Sequence, residues 1–261
     1  MATYKLFDGV DIYYEIHGTG QPLVFLPGWV MTSAFFQKQI SGLSDEFQVI
    51  TIDQRGQGNS GGKDGPLPTI ELMAKDLEEI IIGLKLQNIV LIGWSMGALV
   101  AWKYYELFGD KKLEGLIVLE MAANLGSPDW ASQENASLRA DPDKHINSFL
   151  QSMFVDSPNT SELLWMIADA KKTPVHIAEK LNLEIAYADA RPILPKINIP
   201  TLIIYGKNLL FFTEEQEIDT RNGILDAKTL YFDNSKHCPF WEEPEQCNDE
   251  IRKFVRSLSK N

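Results

Sequence analysis

Apolar positions along the chain follow two different periods. Short continuous apolar runs at 22–26, 48–52, 88–93, 113–119, 200–205 and 228–232 end at turn or polar residues and predict strands buried on both faces. Between them the spacing becomes helical. The segment 69–86 carries apolar residues at 70, 73, 74, 77, 80, 81 and 84, and 95–108 and 242–258 read as helices too. At the amino end, 3–8 and 11–17 flank Asp8-Gly9 and predict a β-hairpin. Strands alternating with helices predict an α/β fold, with a mostly parallel central sheet flanked by helices.

One region breaks the alternation. From about 124 to 195 no strand pattern occurs, and segments near 143–155, 160–172 and 174–188 have helical spacing. This predicts a core made of 1–123 and 196–261, with a helical cap, 124–195, inserted between two strands. Helices placed over strand ends commonly act as lids; ordinary packing helices are the alternative. In an open parallel sheet, ligands bind outside the carboxyl ends of the strands. Chemistry is therefore sought in the loops beginning near Pro27, Asp53, Trp94, Glu120, Gly206 and Asn234.

Composition narrows the classes. The 261 residues are 44% hydrophobic and 23% charged, which fits a globular chain that buries a core without metal or disulfide staples. The net charge of −12 argues against nucleic acid or an anionic membrane surface as the main partner. No apolar stretch is long enough to span a bilayer, and the amino end lacks a secretion-signal layout. A cytoplasmic location is expected, with Cys238 and Cys247 as free thiols and the Asn135 and Asn159 sequons without meaning. Cys238 is a rival nucleophile to the serine described next.

The loop after 88–93 reads Gly93-Trp94-Ser95-Met96-Gly97, a G-x-S-x-G between a strand and a helix. A sharp strand-to-helix turn lifts the serine hydroxyl into the open. Side chains two positions before and after it would collide, so both are glycine. The helix amino end behind Ser95 favours developing negative charge. The competing reading is a simple helix cap. A serine nucleophile needs a base. Of the four histidines, His237 follows the last strand and so shares the sheet edge with Ser95, whereas His145 and His176 fall in the cap and His17 ends an early strand.

With Leu26-Pro27-Gly28-Trp29, the stretch Asp53-Gln54-Arg55-Gly56-Gln57-Gly58-Asn59-Ser60, the serine elbow and His237, the chain resembles the α/β-hydrolase family over nearly its whole length. The elbow and the segment His237-Cys238-Pro239-Phe240 are most similar to carboxylesterases that cleave pimeloyl methyl esters in biotin synthesis. The resemblance implies an oxyanion hole formed by the backbone N–H groups of Trp29 and Met96. It also implies an aspartate three residues after the glycine that ends the strand before last. That position here is Leu209, which cannot orient an imidazolium. Some members place the acid at the end of the strand corresponding to 113–119, where this chain has Glu120. Glu120 is therefore the expected acid, with Glu214 and Glu215, in the first turn of a helix capped by Thr213, as rivals.

Other signals are set aside. Gly56-Gln57-Gly58-Asn59-Ser60-Gly61 fits G-x-G-x-x-G, but no helix opens there as a dinucleotide site requires. No metal-ligand motif occurs, so no metal and no cofactor is expected. Trp94, Phe154, Trp165, Phe211 and Phe240 are candidates for an apolar substrate pocket. Lys171 and Lys172 are candidates for contacting an acidic carrier protein, with a solvated helix face as the plainer reading. The expectation is a serine hydrolase for carboxylic esters with an apolar acyl group, its catalytic residues Ser95, His237 and Glu120. Lactonase, thioesterase and carbon–carbon hydrolase are variants on the same fold. The alternative class is a non-catalytic ligand-binding protein, motivated by Leu209.

Overall fold

Strands without polar alternation need both faces covered, and the chain meets that need by winding helices around one sheet. The computed structural model describes residues 2–208 and 211–258, so Leu209 lies outside the described residues. Among them, eight strands form a single sheet. These are β1 (Ala2–Lys5), β2 (Asp11–His17), β3 (Pro22–Leu26), β4 (Gln48–Ile52), β5 (Ile89–Trp94), β6 (Leu113–Leu119), β7 (Thr201–Gly206) and β8 (Lys228–Phe232). Their order is β1-β2-β4-β3-β5-β6-β7-β8. The pairs β1–β2 and β2–β4 are antiparallel, and every pair from β4 to β8 is parallel. The inner strands β5 and β7 are buried at every position, as unbroken apolar runs require, while the edge strand β1 is mostly exposed.

The core helices are α1 (Gln37–Leu43), α2 (Ile70–Gly83) and α3 (Met96–Phe108). α2 begins where the Thr69 hydroxyl accepts the Leu72 N–H at 3.0 Å, and it buries Met73, Leu77, Ile80 and Ile81. After β6 come four helices, α4 (Asp129–Ala140), α5 (Pro142–Ser152), α6 (Thr160–Ala170) and α7 (Val175–Tyr187), before the chain re-enters the sheet at β7. The last elements are α8 (Glu214–Gly223), α9 (Pro239–Glu242) and α10 (Pro244–Leu258). Among the described residues no helix is long and apolar enough to cross a membrane.

Departures from the sequence reading have local causes. β1 stops at Lys5 because the hairpin turn closes early: Leu6 N–H donates to Val10 O and Gly9 N–H to Leu6 O, both at 2.9 Å, with Gly9 at φ 87°. The closing helix is broken at Glu243, because Pro244 disfavours helical backbone in the residue before it. α1 and α4 were not foreseen. α4 buries Ala131, Asn135 and Leu138. That stripe has helical spacing, but a small residue and an amide carry no hydrophobic signal. Asn135 is buried because it is hydrogen-bonded: its Nδ2 donates to Glu179 O at 3.0 Å, and its Oδ1 accepts from Asn182 Nδ2 at 2.9 Å.

Candidate active site

β5 turns into α3 at Ser95, whose backbone has φ 53° and ψ −122°. Only a tightly held turn keeps a non-glycine residue there. Ser95 N–H donates to Leu119 O at 2.9 Å, and Ala98 N–H donates to Ser95 O at 2.8 Å. The flanking glycines have named obstacles. A Cβ on Gly97 would lie 2.2 Å from Leu26 O, and one on Gly93 would lie 2.5 Å from Ala98 Cα. A Cβ on Gly28 would come within 3.2 Å of Ser95 Cβ, so the loop after β3 passes directly beside the serine. Met96 opens α3, and first-turn N–H groups have no partner within their own helix. The loop carrying Trp29 is fixed by Met31 N–H donating to Gly28 O at 3.2 Å, with Val30 at φ 52°.

Asp53 and Gln54, just after β4, brace that loop from behind. The buried Asp53 carboxylate accepts Ser33 N–H at 2.7 Å and Asn59 N–H at 2.8 Å. Gln54 Nε2 donates to Pro27 O at 2.9 Å. A Cβ on Gly58 would lie 2.3 Å from Asp53 Oδ2. Gly58, within the G-x-G-x-x-G, thus lets the chain wrap a carboxylate. The motif was visible in the sequence but this role was not, because one of the two N–H groups that Asp53 holds comes from Ser33 on the loop after β3.

His237 sits in the loop between β8 and α9, with its side chain 6% exposed. Its backbone is pinned on both sides: its N–H donates to Met153 O at 2.9 Å, and its carbonyl accepts from Trp94 Nε1 at 2.9 Å. The ring lies against Trp94 and Phe211, at centroid distances of 5.8 and 4.7 Å. Two further acids fasten this loop. Glu242 accepts Lys236 N–H at 2.8 Å and the Val155 N–H of the inserted segment at 2.7 Å, and Glu243 accepts Asn234 N–H at 3.1 Å.

Glu120 follows β6 at φ 52° and is fully buried. Its N–H donates to Ile204 O at 3.0 Å on the neighbouring β7, and its Oε1 accepts from Gly206 N–H. Its Oε2 lies 3.5 Å from His237 Nδ1, and neither atom has another hydrogen-bond partner among the described residues. Burial pushes the Glu120 carboxyl well above the usual carboxylate range, opposed by the Gly206 hydrogen bond. Burial pushes His237 down to about 3, so the imidazole is neutral. Glu214 and Glu215 are exposed in the first turn of α8, inside a capping box of Thr213 and Gln216. Cys238 is fully buried, and burial raises its thiol.

Ser95 and His237 line one cavity of about 540 Å³. Among the described residues no hydrogen bond joins the two; such contacts often tighten only when substrate binds. The cavity floor comes from the strand ends and its roof from α4, α5 and α7 of the insertion. Trp29 joins floor and roof, its Nε1 donating to Ala178 O at 2.8 Å. A second cavity, of about 590 Å³ between α2, α3 and α7, contains neither residue.

Of the aromatic residues expected around the substrate, Phe211 lines the main cavity and the other four do not. Trp94, Phe154 and Phe240 are buried in the core, and Trp165 packs on Phe35 and Trp241. Aromatic identity marks residues that pack; it does not mark which side of a loop they face. The lining is mixed, with an apolar surface from Trp29, Met121, Leu125, Trp130, Phe149, Ile185, Phe211 and Phe212 and polar groups from Glu134, Ser137, His145, Ser148 and Asn182. Lys171 and Lys172 are each paired, with Asp143 and Asp169 at 2.7 Å.

Comparison with known proteins places the chain among relatives of similar length. A family model described as the alpha/beta hydrolase fold matches residues 21–244. The AB hydrolase superfamily protein YisY of Bacillus subtilis is 27% identical over 266 residues, spanning 97% of this chain and 98% of its own. The pimeloyl-acyl-carrier-protein methyl ester esterase of Vibrio cholerae is 26% identical over 260 residues, spanning 94% and 98%. Among solved structures, an esterase from Exiguobacterium antarcticum superposes with a TM-score of 0.92 at 26% identity, over 97% of this chain and 98% of the other.

Proposed function

The chain belongs to the alpha/beta-hydrolase family, and from that premise we propose that it hydrolyses carboxylic esters through an acyl-enzyme formed on Ser95. The observation that carries the reading is the buried Glu120–His237 pair, 3.5 Å apart, with His237 and Ser95 lining one cavity. Burying a carboxyl and an imidazole is costly, and their facing each other offsets that cost only as a pair, the arrangement a serine–histidine–acid site uses.

In this mechanism His237 Nε2 takes the Ser95 proton as Oγ attacks the ester carbonyl. Glu120 holds the Nδ1 proton and faces the imidazolium as it forms. The N–H groups of Trp29 and Met96 receive the oxyanion, and each such donor is worth about 3 kcal/mol in the transition state. The intermediate collapses, and the alcohol leaves with the proton from Nε2. Water then repeats the sequence against the acyl-enzyme, releasing the acid and restoring Ser95.

The substrate class is a small-molecule ester; lactones and thioesters suit the same machinery. The name of the Vibrio cholerae relative specifies a carrier-bound acyl chain. The two lysines considered for such a carrier are half-exposed and each already pairs with an aspartate, so neither adds support for a carrier, and a free ester is the simpler substrate. The test is hydrolysis of p-nitrophenyl esters from acetate to decanoate, with Ser95→Ala beside the parent. Release that falls to the uncatalysed background in the variant supports the reading. Equal release from both proteins, or no turnover by the parent, overturns it and favours the ligand-binding alternative.

A further inference from the structure

The loop after β3 is held from two sides. From the core, Gln54 and Asp53 fix Pro27 and Ser33. From the insertion, two helices reach the same loop. Trp29 Nε1 donates to Ala178 O on α7 at 2.8 Å, and the Thr32 hydroxyl donates to Asp169 Oδ2 on α6. Thr32 and Asp169 are both buried. The Thr32 oxygen also accepts Ala34 N–H at 3.2 Å, which starts the short turn Ser33–Phe36, so the hydroxyl is engaged as donor and as acceptor. Its methyl rests on the turn after β4, where a Cβ on Gly58 would lie 2.6 Å from Thr32 Cγ2. Asp169 Oδ1 accepts Lys172 Nζ at 2.7 Å, so both oxygens of the carboxylate are partnered.

Between the two anchors lies Val30 at φ 52°. A β-branched residue in that conformation is strained and persists only where its surroundings impose it. The contacts at Trp29 and Thr32 bracket the strained position. We propose that Asp169 is a positioning residue: through the Thr32 hydroxyl it holds the loop in the shape that aims the Trp29 N–H at the oxyanion. The inference rests on the esterase reading above. A carboxylate suits the task because its hydrogen bond to a hydroxyl is charge-assisted and directional, and burial keeps water from competing for it. An oxyanion donor helps only where it points at the developing charge, and small misplacements are costly. Among the described residues none on α6 lines the cavity, so Asp169 acts on the reaction through the loop and not through contact with the ester.

The assay is hydrolysis of p-nitrophenyl butyrate, with functional sites counted by titration with diethyl p-nitrophenyl phosphate, so that kcat refers to folded, reactive protein. Thr32→Val and Asp169→Ala are each expected to lower kcat about tenfold or more with KM within about twofold, because the donor acts on the transition state and not on the bound ester. Thr32→Ser keeps the hydroxyl and is expected to retain most of the parent's kcat. Combining Thr32→Val with Asp169→Ala is expected to lose no more than either alone, since both remove one contact. A pair that only stabilises the fold would lower the melting temperature and leave kcat per titrated site at the parent's value. That result overturns the inference, and the esterase reading stands as long as parent turnover disappears in Ser95→Ala. Losses that multiply in the double variant, a loss in Thr32→Ser equal to that in Thr32→Val, or a rise in KM without a fall in kcat also overturn it. If Thr32→Val does not fold, Asp169→Ala carries the test from the other side of the contact. A parent without Ser95-dependent turnover overturns both readings.

Discussion

Replacing Glu120 with Gln tests the acid directly, because it changes one charge and little else. The amide oxygen can still accept the Gly206 N–H, so the hydrogen bond to the neighbouring strand survives. What disappears is the charge facing His237 Nδ1 at 3.5 Å. With an effective dielectric constant of about 20, a carboxylate and an imidazolium at that range attract by roughly 4–5 kcal/mol. At 1.36 kcal/mol per decade, the turnover of Glu120→Gln is expected to fall about 10³-fold. The pH dependence gives a second readout with a definite sign. In the active form Glu120 is ionised and His237 is neutral. Adding a proton to this buried pair removes its net charge, which burial favours. The acid limb of kcat/KM in the parent therefore lies above the ordinary carboxylate range, and it belongs to the pair, not to one residue. In Glu120→Gln, protonating His237 creates a buried cation without a counter-ion. Burial disfavours that cation, so the acid limb moves to lower pH even as the maximum rate drops. The assay is p-nitrophenyl acetate hydrolysis across pH for parent and variant, with circular dichroism confirming a shared fold. A variant within tenfold of the parent and with an unmoved acid limb refutes the assignment of Glu120.

Two further predictions concern the scaffold under the site. Arg55 is 2% exposed and grips Asp76 in a two-pronged pair at 2.6 and 2.7 Å. Arg55→Met is expected to lose about 3–5 kcal/mol by leaving Asp76 charged and buried, and Arg55→Met with Asp76→Leu should recover most of it; urea denaturation midpoints decide. Gly58 stands at φ 54° with Asp53 Oδ2 and Thr32 Cγ2 where a Cβ would go, at 2.3 and 2.6 Å. Gly58→Ala is expected to cost at least about 1–3 kcal/mol of strain, and to lower kcat/KM because Asp53 also holds Ser33 N–H near the Trp29 loop. A melting temperature and rate equal to the parent's would show that the wrap around Asp53 is not needed.

What could be read from the chain followed from how far each interaction reaches along it. β5, the elbow and α3 were legible because strand period, two glycines and helix period are contiguous, and each supports the others. The four helices between β6 and β7 were legible as an absence of strand pattern, except for α4, whose buried Asn135 is paid for by hydrogen bonds to α7 that no periodicity reveals. The pocket was the least legible part. Trp94 and Phe240 meet edge to face at 4.8 Å in the core, while the cavity lining includes His145 and Ser137, side chains whose partners lie on a different helix. Residue type announces hydrophobic burial. It does not announce which face of a turn looks into a cavity, because that depends on docking between distant elements.

The acid shows how such docking can be inferred when one expected residue is missing. β6 and β7 are neighbours, with Leu119 opposite Ile204, so the chain leaving each strand emerges at the same edge. The His237 loop comes down onto the end of β7 so closely that a Cβ on Gly206 would lie 2.2 Å from Lys236 O. Any carboxylate reaching that edge from either strand meets the same imidazole. Glu120, at the end of β6, reaches the imidazole sideways from its own strand. Glu120 has the extra methylene for that reach, and the Gly206 N–H receives its Oε1 on the way. In the proposed mechanism the site needs a charge at one point beside Nδ1, and the end of β6 supplies it there. On the proposed reading Glu120 does the work for which an aspartate was expected at 209, and the Glu120→Gln experiment decides between that reading and the ligand-binding alternative.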